Sequence, residues 1–188
     1  MARTPSTMLD LGTTAPDFKL KDSYGKTIAL GDFLGSKATL IMFICNHCPF
    51  VKHLAESIAE LTRAYMAKDV AVIAINSNDI ATYPEDGPDK MREEIMVRGY
   101  KFHYLLDSDQ SVAKAYQAAC TPDFYLFGPD LKLAYRGQWD DSRPGSGVKV
   151  TGDSMRQAID SLLLGKMPDL KQKPSVGCNI KWKLESKA

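Results

Sequence analysis

Cys45 and Cys48 stand two residues apart in the run Ile44-Cys45-Asn46-His47-Cys48-Pro49-Phe50. Two thiols at that spacing can close a disulfide, open it and pass it to another thiol. Such a short loop would stabilise a fold by only about 2 kcal/mol, so stability is a poor reason for the pair. Exchange chemistry is the better one. An apolar run ends at Ile44 and a helical pattern begins after Pro49, so the thiols sit between a strand and a helix N-terminus. The unpaired N–H groups and positive dipole end of a helix favour a thiolate. Cys45 is expected in that position as the nucleophile, with Cys48 one turn further in as the resolving thiol. His47 between them could stabilise the Cys45 thiolate or be an exposed polar residue, and Pro49 suits a first helical turn.

A second informative stretch is Cys120-Thr121-Pro122-Asp123-Phe124. A proline just before a strand could leave a backbone edge on which a substrate chain lies, or be merely a strand-start proline, the reading that the residues alone give. Two further thiols, Cys120 and Cys178, could take part in exchange. A bridge between them would close about 60 residues and stabilise by about 4 kcal/mol; otherwise each is a small packed residue. Cys45, His47, Cys48 and His53 carry zinc-ligand chemistry, but the second Cys-x-x-Cys that would close a tetrahedral site is missing. The expectation is a protein that works without metal or cofactor.

The elements around these residues read as an α/β chain. Phe18–Lys21 and Thr27–Leu30 alternate apolar and polar about a glycine turn, an N-terminal hairpin. Ala38–Ile44 and Asp69–Asn76 are continuous apolar runs, as buried parallel strands are. Between them Val51, Leu54, Ile58, Leu61 and Tyr65 recur at helical spacing. The loop Ser77–Pro88 leads to a helix from about Asp89 that Gly99 ends, then a brief strand at Tyr104 and a helix with Val112, Ala113, Tyr116 and Ala119 inward. Phe124–Phe127 and Leu133–Arg136 form a second hairpin, and a last helix buries Met155, Ile159, Leu162 and Leu163. Trp139-Asp140-Asp141 lies in a loop that could line the site or be solvated, and His103 between two aromatics is structural. The order predicts one domain over 1–188, a central sheet covered on both faces, with 1–14 a loose lead-in and 166–188 a tail.

The chain has 188 residues, enough for one full core, and a formal charge of +1. Such a balance offers nucleic acid or an anionic membrane no electrostatic footprint. The N-terminus has no apolar stretch long enough for a signal-peptide core, nothing later has the length of a membrane span, and four cysteines are too few for a disulfide scaffold. A cytoplasmic setting is expected, with no nucleic-acid or membrane partner.

Taken together, the Cys-x-x-Cys, the helix after it and Thr121-Pro122 before a hairpin resemble a thioredoxin-like fold. More narrowly the chain is similar to the peroxiredoxin-like, redoxin-type branch grouped with alkyl hydroperoxide reductase and thiol-specific antioxidant proteins. The marks are Cys45–Lys52, Ala74–Asp79, Cys120–Phe124, Tyr135-Arg136-Gly137 and Gly177–Lys183. The resemblance implies a cis Thr121-Pro122 bond facing the cysteines, and a thiol–disulfide oxidoreductase. Its partners would be a protein or small-molecule thiol or disulfide and an electron donor or acceptor. Two departures narrow it. Thr39 and Ile44 occupy the places of thioredoxin's acid and tryptophan, and Ala38 and Met42 those of the peroxidatic Pro and Thr/Ser. A thiol peroxidase and a redox-inert binding module are the alternatives. Histidine between the cysteines resembles isomerases and oxidants near about −180 and −120 mV rather than thioredoxin near about −270 mV, which implies a more oxidising couple.

Overall fold

The computed structural model describes residues 3–184. In chain order the elements are β1 (Arg3–Pro5), β2 (Lys19–Asp22), β3 (Thr27–Ala29), β4 (Ala38–Phe43), α1 (Pro49–Met66), β5 (Val70–Asn76) and α2 (Pro88–Arg98). Then come β6 (His103–Leu106), α3 (Ser111–Ala115), β7 (Cys120–Thr121), β8 (Asp123–Phe127), β9 (Leu133–Arg136), α4 (Asp153–Leu163) and β10 (Val176–Asn179).

Seven strands form the central mixed sheet in the order β3-β2-β6-β5-β4-β8-β9. β4, β5 and β6 run parallel, and the hairpins β2–β3 and β8–β9 flank them antiparallel. Every residue of β4, β5 and β8 is buried, which is why these strands read as unbroken apolar runs. Leu40, Met42 and Leu126 face α1 and α4 on one side; Ile41, Phe43, Ile73 and Tyr125 face α3 and the N-terminal segment on the other. α1 buries Val51, Leu54, Ile58, Leu61 and Tyr65 as its spacing predicts. Each such side chain removed from water contributes about 1.5–3 kcal/mol.

Of the lead-in expected over 1–14 and the tail expected over 166–188, residues 1, 2 and 185–188 lie outside the described residues; within the described ones, β1 pairs antiparallel with β10, and β10 pairs antiparallel with β7, making a separate three-stranded sheet. The register sets Cys178 opposite both Arg3 and Thr121. Gly177 makes this closeness possible, since a Cβ there would overlap the Thr121 carbonyl and reach 3.0 Å from the Pro122 nitrogen. Gly177→Ala is therefore expected to push β10 off β7 and to cost about 1–3 kcal/mol, read as a lowered midpoint in denaturant melts. An unchanged midpoint would show that the strands part easily.

Candidate active site

β4 ends at Phe43 and hands the chain to the loop Ile44–Cys48, which α1 then takes up. The helix cap lies three residues later than the sequence suggests. Cys48, not Cys45, is its N-cap, and Pro49 fills the first turn, where a missing N–H is no loss. The end of an 18-residue helix thus faces Cys48.

The Thr121–Pro122 peptide bond is cis, and it brings Thr121 against both thiols. The Thr121 hydroxyl is 3.4 Å from the Cys45 sulfur, and its carbonyl oxygen is 3.1 Å from the Cys48 sulfur. On the other side of Cys48 lies Cys178 at 3.0 Å. Cys48 is also hydrogen-bonded to Cys45, so it is the sulfur common to two thiol contacts. Cys120 is buried alongside, but its thiol points to the Pro122 carbonyl at 3.5 Å, and burial pushes its pKa well up, making it a weaker acid. All four cysteines are in the thiol form rather than in disulfides in this structure.

These contacts divide the ionisation unevenly. Cys48 is lowered to about 5, chiefly by the hydrogen bond from Cys45, with Cys178 and the Val51 N–H helping against burial. Cys45 is pushed well above its ordinary value by that same bond, then by burial and by the negative Asp86. Cys178 is pushed up to about 12 by burial and by the Cys48 sulfur. When Cys48 holds its proton, it donates to the Thr121 carbonyl; when it does not, the two flanking thiols donate into it. The first thiol to ionise is Cys48, because only Cys48 combines the helix end with two donors.

His47 pairs with Asp86. Its Nδ1 lies 2.7 Å from Asp86 Oδ2, and its ring stacks on Tyr83 with centroids 5.4 Å apart. Asp86 is fully buried and is the anchor of the whole loop. Its Oδ1 accepts from the Asn46 and His47 backbone N–H groups at 2.8 and 3.3 Å, and its Oδ2 also accepts from Asn78 Nδ2 at 2.7 Å. Tyr104 donates to Asn46 Oδ1 at 3.0 Å from the opposite wall. A buried carboxylate thus stands beside Asn46 and His47, on a different element from Thr39. Local spacing gives no sign of it, because Asp86 lies forty residues downstream in the short turn Pro84–Asp86.

Metal chemistry regroups as well. His53 bonds Ser142 Oγ at 3.0 Å, away from the cysteines. Among the described residues the ligand atoms that converge are those of Cys45, His47 and Asp86, all within 4.8 Å of one another. Both oxygens of Asp86 already accept two bonds each, which makes this cluster a hydrogen-bond hub.

The backbone edge at Thr121, expected to be open to a substrate chain, is occupied by β10. Cys45 is 1% exposed and Cys48 0%, so exchange with another molecule requires this cover to shift. Trp139 is part of the packing: buried, 5.0 Å from the Phe124 ring, with its indole N–H donating to Ser57 Oγ. Asp140 accepts from the Thr151 and Gly152 N–H groups before α4, and His103 packs on Phe33. No helix among the described residues is long and apolar enough to cross a membrane.

Residues 11–136 match the AhpC/TSA family. Among curated proteins, the thiol-disulfide oxidoreductase ResA of Bacillus subtilis is 27% identical over 124 residues, 65% of this chain. The match spans 64% of that protein's own length. An uncharacterized conserved protein from Geobacillus kaustophilus has the same structure at a TM-score of 0.96, with 53% identity and 99% of each chain covered. The thioredoxin domain of a thiol-disulfide oxidoreductase from Bacteroides vulgatus superposes at a TM-score of 0.59 with 19% identity, over 72% of this chain and 90% of that one. That likeness shows a thioredoxin-like fold.

Proposed function

The chain belongs to the AhpC/TSA family, and from that premise we propose that it is a thiol–disulfide oxidoreductase working through the Cys45/Cys48 couple. The observation that carries this reading is the placing of both thiols against Thr121 at the start of α1, with Cys48 at the helix cap and its ionisation favoured there. The similarity to ResA supports the same reaction class.

In the oxidised couple a substrate thiolate attacks Cys45 Sγ. The Cys45–Cys48 bond breaks and Cys48 leaves as a stabilised thiolate, the better leaving group of the two. A second substrate thiolate then attacks the substrate sulfur of the mixed disulfide. Its disulfide forms, and Cys45 departs and takes a proton. The substrate loses two electrons, the couple gains them, and an electron acceptor restores the disulfide. Run backwards, the Cys48 thiolate resolves a mixed disulfide on Cys45.

A stabilised thiolate stabilises the reduced form, which makes the couple more oxidising than thioredoxin at about −270 mV. Cys45 bears on the peroxidase alternative too. A peroxidatic sulfur must be an accessible thiolate, and Cys45 is buried with its ionisation suppressed, which favours disulfide exchange over peroxide reduction. We place this activity in a reducing compartment such as the cytoplasm, where a close cysteine pair is catalytic rather than structural.

The test is a redox titration joined to a turnover assay. Between about pH 5 and pH 8.5 the potential is expected to fall by about 30 mV per pH unit rather than about 59, because reduction there takes up one proton for two electrons. Oxidation of a fluorogenic dithiol should vanish in Cys45→Ser. Cysteine-independent binding without turnover would leave a redox-inert module instead.

A further inference from the structure

Cys48 has a thiol on each side, and the couple uses only one of them. We propose that Cys178 is a third exchange thiol, which takes the disulfide over from Cys45 by bonding to Cys48. The proposal rests on the Cys45/Cys48 reading above and extends the same site by one residue.

Position carries the argument. The Cys178 sulfur lies 3.0 Å from Cys48, about 1 Å from bonding distance. Strand pairing holds it there from both sides, with Arg3 across one edge of β10 and Thr121 across the other. Gly177 lets the strand approach close enough, since no side chain fits between it and the Thr121 carbonyl. The register also sets β10 along the strand edge beside Pro122, so its cysteine is presented to the couple as an extended substrate chain would present one. Cys120 is equally buried but is turned to the Pro122 carbonyl, which leaves Cys178 as the partner.

The step balances within the chain. Starting from the Cys45–Cys48 disulfide, Cys178 gives up its proton and its sulfur attacks Cys48 Sγ. The Cys48–Cys178 bond forms as the Cys45–Cys48 bond breaks. The electron pair of the broken bond goes to Cys45, which takes up the proton. No electrons enter or leave, and the chain still holds one disulfide. Cys45 is returned as a free thiol while the oxidising equivalent rests on the C-terminal strand.

The purified full-length chain, reduced and freed of reductant, is treated with one equivalent of diamide, quenched in acid at intervals, digested without reductant and mapped by mass spectrometry. The Cys45–Cys48 link is expected first. The Cys48–Cys178 link should then grow at its expense with no more oxidant added. In Cys45→Ser, diamide should join Cys48 to Cys178 in at least tenfold excess over any link to Cys120. A Cys45–Cys48 link that persists unchanged in the wild type overturns the proposal. So does a Cys48–Cys178 link that forms with no Cys45–Cys48 precursor. If Cys45→Ser does not fold, the wild-type time course decides alone. Failure here would leave dithiol turnover by Cys45 and Cys48 intact, so the two readings fail separately.

Discussion

Replacing Cys48 with serine is expected to lower dithiol oxidation by on the order of 10³-fold or more and to strand mixed disulfides on Cys45. The reason is the leaving group. A serine cannot form the disulfide or depart as a thiolate, so the two-electron cycle has no second sulfur. The reduced wild type should absorb near 240 nm as a thiolate at neutral pH and lose that absorbance as the pH falls through about 5, the range to which Cys48 is lowered. Cys48→Ser should remove the transition. The same shift links to stability with a definite sign. A thiol ionising lower in the folded chain than its ordinary value of about 8.5 stabilises fully above that value and loses the contribution as pH falls toward 5. The reduced wild type should therefore gain on Cys48→Ser in denaturant melts between pH 5 and pH 8. Turnover above a tenth of wild type in Cys48→Ser, or no pH-dependent difference between the two, would count against the assignment.

Asp86→Ala is expected to cost about 3–5 kcal/mol, because it strips a buried carboxylate from four donors and leaves the His47 imidazole without its partner. Activity should fall beyond what the lost stability explains, since the Asn46–His47 backbone that presents Cys45 hangs on Asp86 Oδ1. The negative charge near Cys45 goes with it, so the gap between the two thiols should narrow. Asp86→Asn separates these effects. It keeps an acceptor for the backbone and removes the charge, so it should recover much of the stability while shifting the pH profile of turnover toward earlier Cys45 ionisation. An Asp86→Ala protein with wild-type melting and wild-type pH dependence would reduce Asp86 to a bystander.

How much of this could be read in advance depends on the range of the interaction. β4, α1 and the cysteines between them follow from contiguous signals: an apolar run, a proline, a 3.6-residue stripe. The hairpins follow likewise from alternation around Gly25 and Gly128. Which cysteine caps the helix turned on a shift of three residues, within the ordinary error of a helix boundary. β10 was hidden because Val176–Asn179 has no periodicity and owes its strand conformation to neighbours at Arg3 and Thr121. Asp86 was hidden for the same reason, since nothing near Pro84 refers to Asn46. Chemistry carried by one segment was legible, and chemistry completed by another was not.

The strand β10 joins residues from opposite ends of the chain, and that arrangement bears on how the protein is made. Pairing Arg3 with Cys178 closes a loop that runs from residue 3 to residue 178, and closures of that length are entropically the most demanding in a fold. The central sheet and α1 can form from nearer contacts while Cys48 is still open to solvent. Cys48 therefore stays uncovered until β10 docks on β7, and its exposure to oxidants is greatest before that pairing forms.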